Sequence, residues 1–584
     1  MHWYPRLTLV SHAVNRIDAA PDMSAPPPTM ADAIRARAVD STDRVFLRAG
    51  GATWTFGETH REACRFANFF LARRDPTRPF HVGVLMDNLP AFVFAELGAA
   101  LAGAALVGLN PTRTGPALAR DVEYADCQLV VVEQRYVEQL RAAIGDAAGL
   151  RVFIVDGDGD AQWPAVEPAL AQVADTDPHV AVDSDTLLLI VFTSGTTRAP
   201  KGVLNSQGRL ARLGWGASLH MCHCTAADVV YCAMPLYHSN AQVLALAPPL
   251  LAGGGLALAR RFSKSSFLAD VRRYGATLFN YVGNPLAYIM DTPPRPDDAD
   301  NPLRLAYGNE APRQYIAAFA QRFGCEVIDG YGASEVGVGF SHTADDPPRS
   351  LGRAPGVKII GDDDRECAAA RFDATGRLLN PDEAVGEIVN TTGQFLFEGY
   401  YKDEQATRER TRNGWFHSGD LGYMDADGFI YFAGRDAEWL RVGGENFLAR
   451  PIEDVLARYP AIRLATVYGV PDPEAGDQVM AALVLRDGAA FDAGAFAAFV
   501  DSAPDLPPRW RPTFVRVAQE LVATHTNKIL KRTLRREKFL LDRVADPIYW
   551  RPRGAAEFRR FTAADLAELR ERFERAGYAD RIEQ

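Results

Sequence analysis

The chain has 584 residues, of which 47% are hydrophobic, 23% charged and 10% aromatic. These proportions are ordinary for globular proteins and exclude global disorder and fibrous repeats. The formal net charge of −11 argues against a general nucleic-acid binder, because nucleic acids attract basic surfaces. Seven cysteines in this length indicate the reduced thiols of a cytosolic protein and not a disulfide framework.

Two N-terminal segments need interpretation before the fold is considered. Residues 1–30 are rich in proline and alanine, and we expect a flexible lead-in without a signal-peptide core. Residues 90–108, PAFVFAELGAALAGAALVG, are apolar enough to suggest a membrane span. They carry Glu96 and follow a strand-like run at 81–88, so we interpret them as a buried helix of a covered α/β sheet.

Strand-like and helix-like segments alternate from residue 31 onward. Residues 53–74 begin as a strand and continue as an amphipathic helix, and 243–259 are predicted to form helix, turn and strand. The alternation is typical of doubly wound parallel sheets. Further strand-like runs lie at 128–132, 152–155, 186–192, 229–233, 277–281, 304–307 and 326–328.

The pattern changes after residue 345 to shorter strands with turn signals, such as 386–390 and 428–434. A smaller α+β unit begins near 435, and the tail contains a helix with Thr562 as its N-cap. We therefore predict an α/β fold. Its parts are a lead-in (1–30), a large N-terminal domain of doubly wound sheets plus a β-rich subdomain (31–434), a smaller α+β C-terminal domain (435–545), and an extension packed on or near that domain (546–584).

The sharpest local feature is LLLIVFTSGTTRAPKGV at 187–203, where a strand leads into a short loop. Hydroxyls, backbone N–H groups and a lysine on one small loop suit a polyphosphate. The spacing differs from GxxxxGK[ST], so this is not a Walker A loop. Taken alone, such a segment is more often a simple turn. The nearby Cys222-His223-Cys224 is spaced too tightly for a tetrahedral metal site.

Further motifs give this loop a context. The run 187–203 resembles the signature loop of the adenylate-forming superfamily, which includes acyl-CoA synthetases, luciferases and peptide-synthetase adenylation domains. Six more segments stand in the family's order: LYHSN (236–240), YGNEA (307–311), DGYGASEVG (329–337), GEI (386–388), GWFHSGDLGYMDADGFIYFAGRDAEWLRVGGENF (414–447) and THTNKILKR (524–532). Residues 278–290 and 303–324, LRVGGENF and DPIYW (546–550) are similar to the fatty-acid transport protein and very-long-chain acyl-CoA synthetase branch.

The resemblance implies a two-step ligase. A carboxylate attacks the α-phosphate of ATP to give acyl-AMP and pyrophosphate, and coenzyme A then displaces AMP. Positioning and charge neutralisation carry such catalysis. The family also implies Mg²⁺, and a mobile C-terminal domain that rotates about residues 435–437 between the two steps.

The substrate is less sharply implied. Small and apolar pocket candidates favour a hydrophobic acid, either a fatty acid or a bulky ring-bearing acid. A carrier-protein thiol as acceptor and a catalytically degenerate acyl-binding or uptake protein stay open as alternatives. We expect a cytoplasmic protein without a nucleic-acid partner, for which a lipid substrate is compatible with peripheral membrane contact.

The resemblance also assigns residues to roles. Catalytic candidates are Lys528, Thr196, Glu335 and His238, of which Glu335 and Thr196 are also the metal candidates, because hard oxygen ligands suit Mg²⁺. Acyl-pocket candidates are Tyr281, Val282, Gly283, Asn284 and Val336, and coenzyme A candidates are Gly443, Gly444 and Glu445. ATP candidates are Thr193, Ser194, Gly195, Thr196, Thr197, Lys201, Gly308, Asn309, Glu310, Tyr331, Gly332, Ser334, Asp420 and Arg435.

Four positions depart from the family pattern. Arg198 replaces the usual glycine of the phosphate loop, where a side chain restricts the backbone. Asn527 replaces a glycine before the candidate lysine, Ala437 stands at the hinge, and Asn446 lies near where some relatives carry an arginine. None of them removes a candidate catalytic side chain.

Overall fold

The computed structural model describes residues 23–145, 149–193, 200–342, 346–347, 350–374, 378–393, 396–434, 439–442, 445–474, 476–522, 529–578 and 581–582. The elements up to residue 206 are α1 (Met30–Asp40), β1 (Val45–Ala49), β2 (Ala52–Thr55), α2 (Phe56–Leu71), β3 (His81–Leu85), α3 (Pro90–Ala102), β4 (Ala105–Gly108), α4 (Gly115–Tyr124), β5 (Leu129–Glu133), α5 (Val137–Ile144), β6 (Arg151–Val155), α6 (Val166–Leu170), β7 (Leu187–Phe192) and β8 (Gly202–Ser206).

The next part of the chain continues the alternation of helix and strand. Its elements are α7 (Gln207–His220), β9 (Val229–Cys232), a π-helix (Ala241–Leu246), α8 (Ala247–Ala252), β10 (Gly255–Leu258), α9 (Phe267–Tyr274), β11 (Leu278–Val282), α10 (Pro285–Met290), β12 (Leu305–Asn309), α11 (Ile316–Phe323), β13 (Glu326–Gly332) and β14 (Gly339–His342).

Shorter strands follow, and then a second mixed region. The elements are β15 (Ser350–Gly352), β16 (Val357–Ile360), α12 (Pro381–Ala384), β17 (Gly386–Asn390), α13 (Glu404–Arg410), β18 (Phe416–Met424), β19 (Ile430–Gly434), β20 (Trp439–Val442), β21 (Glu445–Leu448), α14 (Ala449–Leu456), β22 (Ile462–Asp472), β23 (Gly476–Leu485), α15 (Ala493–Ser502), β24 (Phe514–Ala518), α16 (Lys531–Glu537), β25 (Ile548–Trp550), β26 (Arg559–Arg560) and α17 (Ala563–Arg575).

Two mostly parallel sheets form the large N-terminal region. The first has the strand order β6-β5-β3-β4-β7-β8, and the second has the order β14-β13-β12-β11-β9-β10-β1-β2. One continuous hydrophobic core joins their inner faces through α2, α3, α7 and α8. At its centre α2 and α3 approach so closely that a Cβ at Gly98 would lie 2.7 Å from the Ala63 carbonyl oxygen. The predicted α/β class with doubly wound sheets is confirmed.

The apolar run 90–108 corrects one expectation. Its first part is a helix, and every residue of α3 from Phe92 to Ala102 is buried, as predicted. Its last four residues are not helical but form β4, because Gly103 takes the left-handed conformation (φ 65°) and ends α3. Among the described residues, no helix combines the length and hydrophobicity that crossing a membrane requires.

Two smaller sheets complete the chain. The third sheet is antiparallel, with the order β15-β19-β18-β17-β16. The fourth has the order β21-β20-β23-β24-β25-β26, with β22 paired to β23. One of its faces packs against α14 and α15, and the other packs against α16 and α17. The residues beyond 545 thus add two strands and a helix to this sheet, and Thr562 caps α17 as predicted.

Candidate active site

The strand ends of the second sheet form one wall of the site. In register, Val282 of β11 pairs with Asn309 of β12, and Asn309 pairs with Gly330 of β13. Ligands of open α/β sheets bind at such carboxyl ends. Gly308 lies here against the neighbouring strand, since a Cβ would stand 2.0 Å from the Tyr281 carbonyl oxygen. The predicted adenine-binding residues 308–311 therefore end β12 and continue directly after it at this edge.

A buried carboxyl fixes the loop after β12. Glu310 has a left-handed backbone (φ 65°), and the next N–H, of Ala311, donates to Asp329 Oδ1 at 3.0 Å. The Tyr281 hydroxyl donates to the same oxygen at 3.0 Å. Burial raises the pKa of Asp329 to about 7 in spite of these donors. Sequence reasoning quoted Asp329 within a motif but did not single it out as a site residue.

Tyr331 and Asp420 join the second sheet to the third. The Tyr331 hydroxyl on β13 donates to the Asp420 carboxylate on β18. The Tyr331 ring lies between Phe340 and Phe432, with centroid distances of 5.6 and 5.9 Å. Asp420 is buried, and its N–H donates to Ser418 Oγ at 3.1 Å. These two predicted ATP residues, 89 positions apart in sequence, thus lie in direct contact.

The turn that carries Asp420 is held by a hydrogen-bonded pair, the buried His417 and the half-buried Glu387, neither of which was a predicted site residue. His417 Nδ1 lies 2.7 Å from Glu387 Oε2, and the Gly419 N–H donates to Glu387 Oε1 at 2.7 Å. Burial raises the pKa of Glu387, but the hydrogen bonds from His417 and Gly419 outweigh it and leave the pKa below its ordinary value. The charged carboxylate therefore fixes the backbone immediately before Asp420.

Glu335 lies in the same region, on the turn between β13 and β14. Its side chain is 9% exposed, and the Tyr400 hydroxyl donates to its Oε1 at 2.6 Å. The Arg209 guanidinium donates to the carbonyl oxygens of Glu335 at 2.7 Å and Ser334 at 3.3 Å. The hydroxyl of Ser239 donates to that of Ser334 at 2.9 Å. The turn is thus anchored from α7, from the 236–240 motif and from the segment before α13.

The environment of Glu335 fits a divalent cation. Oε1 accepts a hydrogen bond from the Tyr400 hydroxyl, whereas no described residue donates a hydrogen bond to Oε2. A carboxylate oxygen is the kind of ligand that Mg²⁺ takes. The other predicted metal residue, Thr196, lies outside the described residues.

The phosphate loop is described at its two ends. β7 and β8 pair antiparallel, and the Thr193 N–H donates to the Lys201 carbonyl oxygen at 2.9 Å. The Lys201 Nζ lies 4.9 Å from the centroid of the Tyr400 ring. Lys201 of this hairpin and Glu335 of the turn therefore contact the same side chain, that of Tyr400. The loop residues between its strands, Ser194, Gly195, Thr196, Thr197 and Arg198, lie outside the described residues.

The predicted acyl-pocket residues separate into two groups. Val282 belongs to the core between the two large sheets, and Val336 packs against it. The Gly283 N–H donates to the Asn309 carbonyl oxygen at 2.8 Å. Tyr281 instead points to the opposite face, into the core beneath α9 and α11. We therefore leave Tyr281 out of the proposed pocket. Asn284 is buried at the start of α10.

Some of the remaining predicted residues are described by the structure, and the others lie outside the described residues. His238 is half-buried, and its ring stands 4.5 Å from that of Tyr237. Gly332, at the end of β13, lies close to the Asn309 side chain. Glu445 belongs to β21. Arg435, Ala437, Gly443, Gly444, Asn527 and Lys528 lie outside the described residues.

The residues on either side of the lysine motif are described. The Leu530 N–H donates to the Val522 carbonyl oxygen at 2.8 Å. Leu521 packs both against the core beneath α9 and α11 and against the core of the fourth sheet. Leu521 therefore lies where the large N-terminal region and the fourth sheet meet.

Comparison with known proteins places this geometry in a family. The chain is 44% identical over 540 residues to the steroid-22-oyl-CoA synthetase of Rhodococcus jostii (strain RHA1), covering 92% of this chain and 96% of that protein. It is 45% identical over 471 residues to the medium/long-chain-fatty-acid–CoA ligase FadD17 of Mycobacterium marinum, covering 79% and 87%. The crystal structure of the anthranilate CoA ligase AuaEII in complex with anthranoyl-AMP shares the fold, with a TM-score of 0.77 and 19% identity over 90% of this chain and all of that one.

Two family descriptions match successive parts of the sequence. Residues 34–401 match the AMP-binding enzyme family, and residues 451–528 match the AMP-binding enzyme C-terminal domain. The first match alone includes the phosphate hairpin, the strand ends, Glu335 and Tyr400. The chain belongs to the AMP-binding enzyme family.

Proposed function

We propose that the protein is an AMP-forming ligase that activates a hydrophobic carboxylic acid with ATP and transfers the acyl group to coenzyme A. The observation that carries the proposal is the meeting of the phosphate hairpin, the Glu335 turn and the Tyr331–Asp420 pair at one sheet edge. Two relatives at 44–45% identity are named as CoA synthetase or ligase. Their names, steroid-22-oyl and medium/long-chain fatty acid, support a large apolar acyl group.

The first step needs positioning and charge neutralisation. A carboxylate oxygen attacks the α-phosphorus, the α–β phosphoanhydride bond breaks, and pyrophosphate leaves. Lys201 and the 193–197 loop are proposed to bind the phosphates, and Asp420 to accept hydrogen bonds from the ribose hydroxyls. Tyr331 and residues 308–311 are proposed to line the adenine pocket. When bound, Mg²⁺ supplies charge neutralisation at the phosphates, and Glu335 and Thr196 are proposed to hold it.

The second step needs a different set of residues. The thiolate of coenzyme A attacks the acyl carbonyl carbon, the bond between that carbon and the phosphate oxygen breaks, and AMP leaves with the electron pair. We propose that Lys528 serves the first step and that residues 443–445 serve the second. Arg435 is proposed to contact the ribose or phosphates, and His238 to border the carboxylate pocket. Val282, Gly283, Asn284 and Val336 are proposed to line the acyl pocket.

The experiment is a product assay on purified protein with ATP, Mg²⁺, coenzyme A and a panel of fatty, aromatic and steroid acids, read by mass spectrometry. We expect acyl-CoA and AMP. Lys528→Ala is expected to slow adenylate formation by at least about 100-fold, since it removes a cation from the developing charge. Thioester formation from synthetic acyl-AMP is expected to continue in this variant. The exposed ion-pair lysine variant Lys358→Ala is the matched control.

Each other outcome has a defined meaning. Acyl-AMP without acyl-CoA contradicts coenzyme A as the acceptor and points to a carrier-protein thiol. Absence of both products, together with absence of ATP–pyrophosphate exchange, contradicts the ligase proposal and favours a degenerate acyl-binding protein.

A further inference from the structure

Tyr400 stands where three parts of the site meet, and sequence reasoning did not identify it. Its backbone lies alongside the phosphate hairpin: Val203 forms a β-bridge with Tyr400, and the Tyr401 N–H donates to the Gly202 carbonyl at 2.8 Å. The side chain is 5% exposed and packs with Phe397 and Phe416 in the core of the third sheet. Its position is therefore fixed by the hairpin that carries the phosphate loop.

The direction of its hydroxyl hydrogen bond is also fixed. Tyr400 Oη lies 2.6 Å from Glu335 Oε1 and 3.4 Å from Arg410 Nε, and Arg410 in turn donates to the His417 carbonyl at 2.9 Å. A guanidinium can only donate hydrogen bonds, so the tyrosine oxygen accepts one from Arg410. The tyrosine hydroxyl therefore donates its own hydrogen bond to Glu335. The hydroxyl thus orients one carboxylate oxygen, and Oε2 is the oxygen left for a cation.

The ring makes a second contact with the phosphate machinery. The Lys201 ammonium lies 4.9 Å from the ring centroid, within the range of a cation–π interaction. One side chain therefore contacts both a cation of the phosphate hairpin and the carboxylate of the Glu335 turn. Lys201 and Glu335 are 134 positions apart in the sequence and lie on different elements.

We propose that Tyr400 is a positioning residue that couples the phosphate hairpin to the metal-binding carboxylate, aligning Glu335 through its hydroxyl and Lys201 through its ring. The inference rests on the proposed function, because it takes Glu335 as the ligand of the ATP-bound cation. We assign Tyr400 a role through Glu335 and Lys201 and not through the substrate or the reacting atoms.

The test separates the hydroxyl from the ring. Tyr400→Phe keeps the ring and removes the hydroxyl. Binding of ATP is measured by calorimetry without acid or coenzyme A, across a Mg²⁺ titration and in EDTA. We expect the Mg²⁺ concentration for half-maximal tightening of ATP binding to rise about 10-fold, as for loss of a group that orients a metal ligand. ATP affinity in EDTA is expected to stay unchanged in Tyr400→Phe and to weaken in Tyr400→Leu.

A neighbouring tyrosine provides a matched control. The hydroxyl of the next residue, Tyr401, donates to Asp126 Oδ2 at 2.5 Å. Tyr401→Phe removes an equivalent hydrogen bond and is expected to leave the Mg²⁺ titration unchanged. An equal shift in Tyr401→Phe overturns the proposal, because any loosening of the segment then has the same effect.

A double-mutant cycle tests the coupling of Tyr400 to Glu335 separately from the proposed metal-binding role of Glu335. Glu335→Gln keeps an acceptor oxygen but removes the charge. In the Glu335→Gln background, Tyr400→Phe is expected to cause no further shift. If Glu335→Gln alters the Mg²⁺ titration but Tyr400→Phe does not, or if the tyrosine effect persists unchanged in that background, the coupling is wrong. If Glu335→Gln has no effect on the titration, the proposed metal ligand fails and the coupling fails with it.

Discussion

Two ionisable side chains in the large N-terminal region are buried, one as a charged group and the other as a neutral one. Arg209 is fully buried on α7, and it donates to the carbonyl oxygens of Leu204, Ser334, Glu335 and Leu396 and to the Asn205 side chain. Burial lowers its pKa to about 10, which leaves the guanidinium charged near neutral pH. Glu96 lies in the middle of α3 and is 2% exposed, where burial raises its pKa to about 8. One residue keeps its charge through hydrogen bonds, and the other holds a proton.

Glu96 makes stability depend on pH with a definite sign. Between its ordinary pKa of 4.5 and the folded-state value of about 8, the folded protein binds more protons at this site than the unfolded chain. The free energy of unfolding therefore falls as the pH rises through this window. Glu96→Gln has no proton to lose, and its amide can still pair with Gln242. We expect its stability relative to the native protein to rise by about 3–5 kcal/mol between pH 4.5 and pH 8.

The measurement is denaturant unfolding of both proteins at several pH values across this window. Exposed Glu138→Gln on α5 serves as the control and is expected to leave the pH dependence unchanged. A stability difference between Glu96→Gln and the native protein that stays constant with pH contradicts the buried, protonated carboxyl.

At the scale of elements, many strands of the two large sheets could be predicted because fully buried parallel strands are short, continuous apolar runs. The predicted run 128–132 is β5 (Leu129–Glu133), and 229–233 is β9 (Val229–Cys232). The run 90–108 was only half predicted, because α3 and β4 are equally apolar and composition does not mark where one ends. The boundary depends on the backbone conformation of Gly103, which hydrophobic periodicity does not report.

The candidate site was predictable only where local motifs carry it. Glu335, Tyr331 and Asp420 stand in recognisable segments, whereas Tyr400 and Arg209 act through partners 65 and 126 positions away. Such contacts arise when the third sheet packs against the phosphate hairpin, and no spacing in the sequence encodes them. The sequence also does not report which core Tyr281 faces, since alternate residues of a strand face opposite cores.

Helix α17 makes the residues beyond 545 part of the fourth sheet's core. Phe573 is fully buried there, in one cluster with Leu534 of α16. Lys538, just after α16, donates to the carbonyl oxygens of Arg581 and Ile582 at 3.0 and 3.1 Å. We expect Phe573→Ala to lower the free energy of unfolding by about 3–5 kcal/mol. Exposed Glu571→Ala on the same helix is the control, and an equal loss in both variants by denaturant unfolding contradicts this packing.

At the scale of the whole molecule, the fourth sheet and the large N-terminal region share a buried patch. Arg463 Nη1 lies 2.9 Å from Asp291 Oδ2, and the Tyr315 hydroxyl donates to the Arg463 carbonyl at 2.9 Å. Leu464 and Val484 join the core beneath α9 and α11, as does Leu521 just before the lysine motif. The patch therefore determines which part of the fourth sheet faces the proposed site.

This contact predicts a step-specific effect on the proposed reaction. If the arrangement serves adenylation, Arg463→Met removes a hydrogen-bonded ion pair worth about 1.5–3 kcal/mol and slows acyl-AMP formation by about 10-fold or more. Thioester formation from synthetic acyl-AMP is expected to change much less, because the family resemblance implies that the C-terminal domain takes another orientation for that step. Arg458→Met, which removes an ion pair to Asp505 between the segments that follow α14 and α15, is the matched control. Equal losses in both half-reactions, measured by rapid quench, contradict a step-specific interface and indicate that Arg463 serves stability alone.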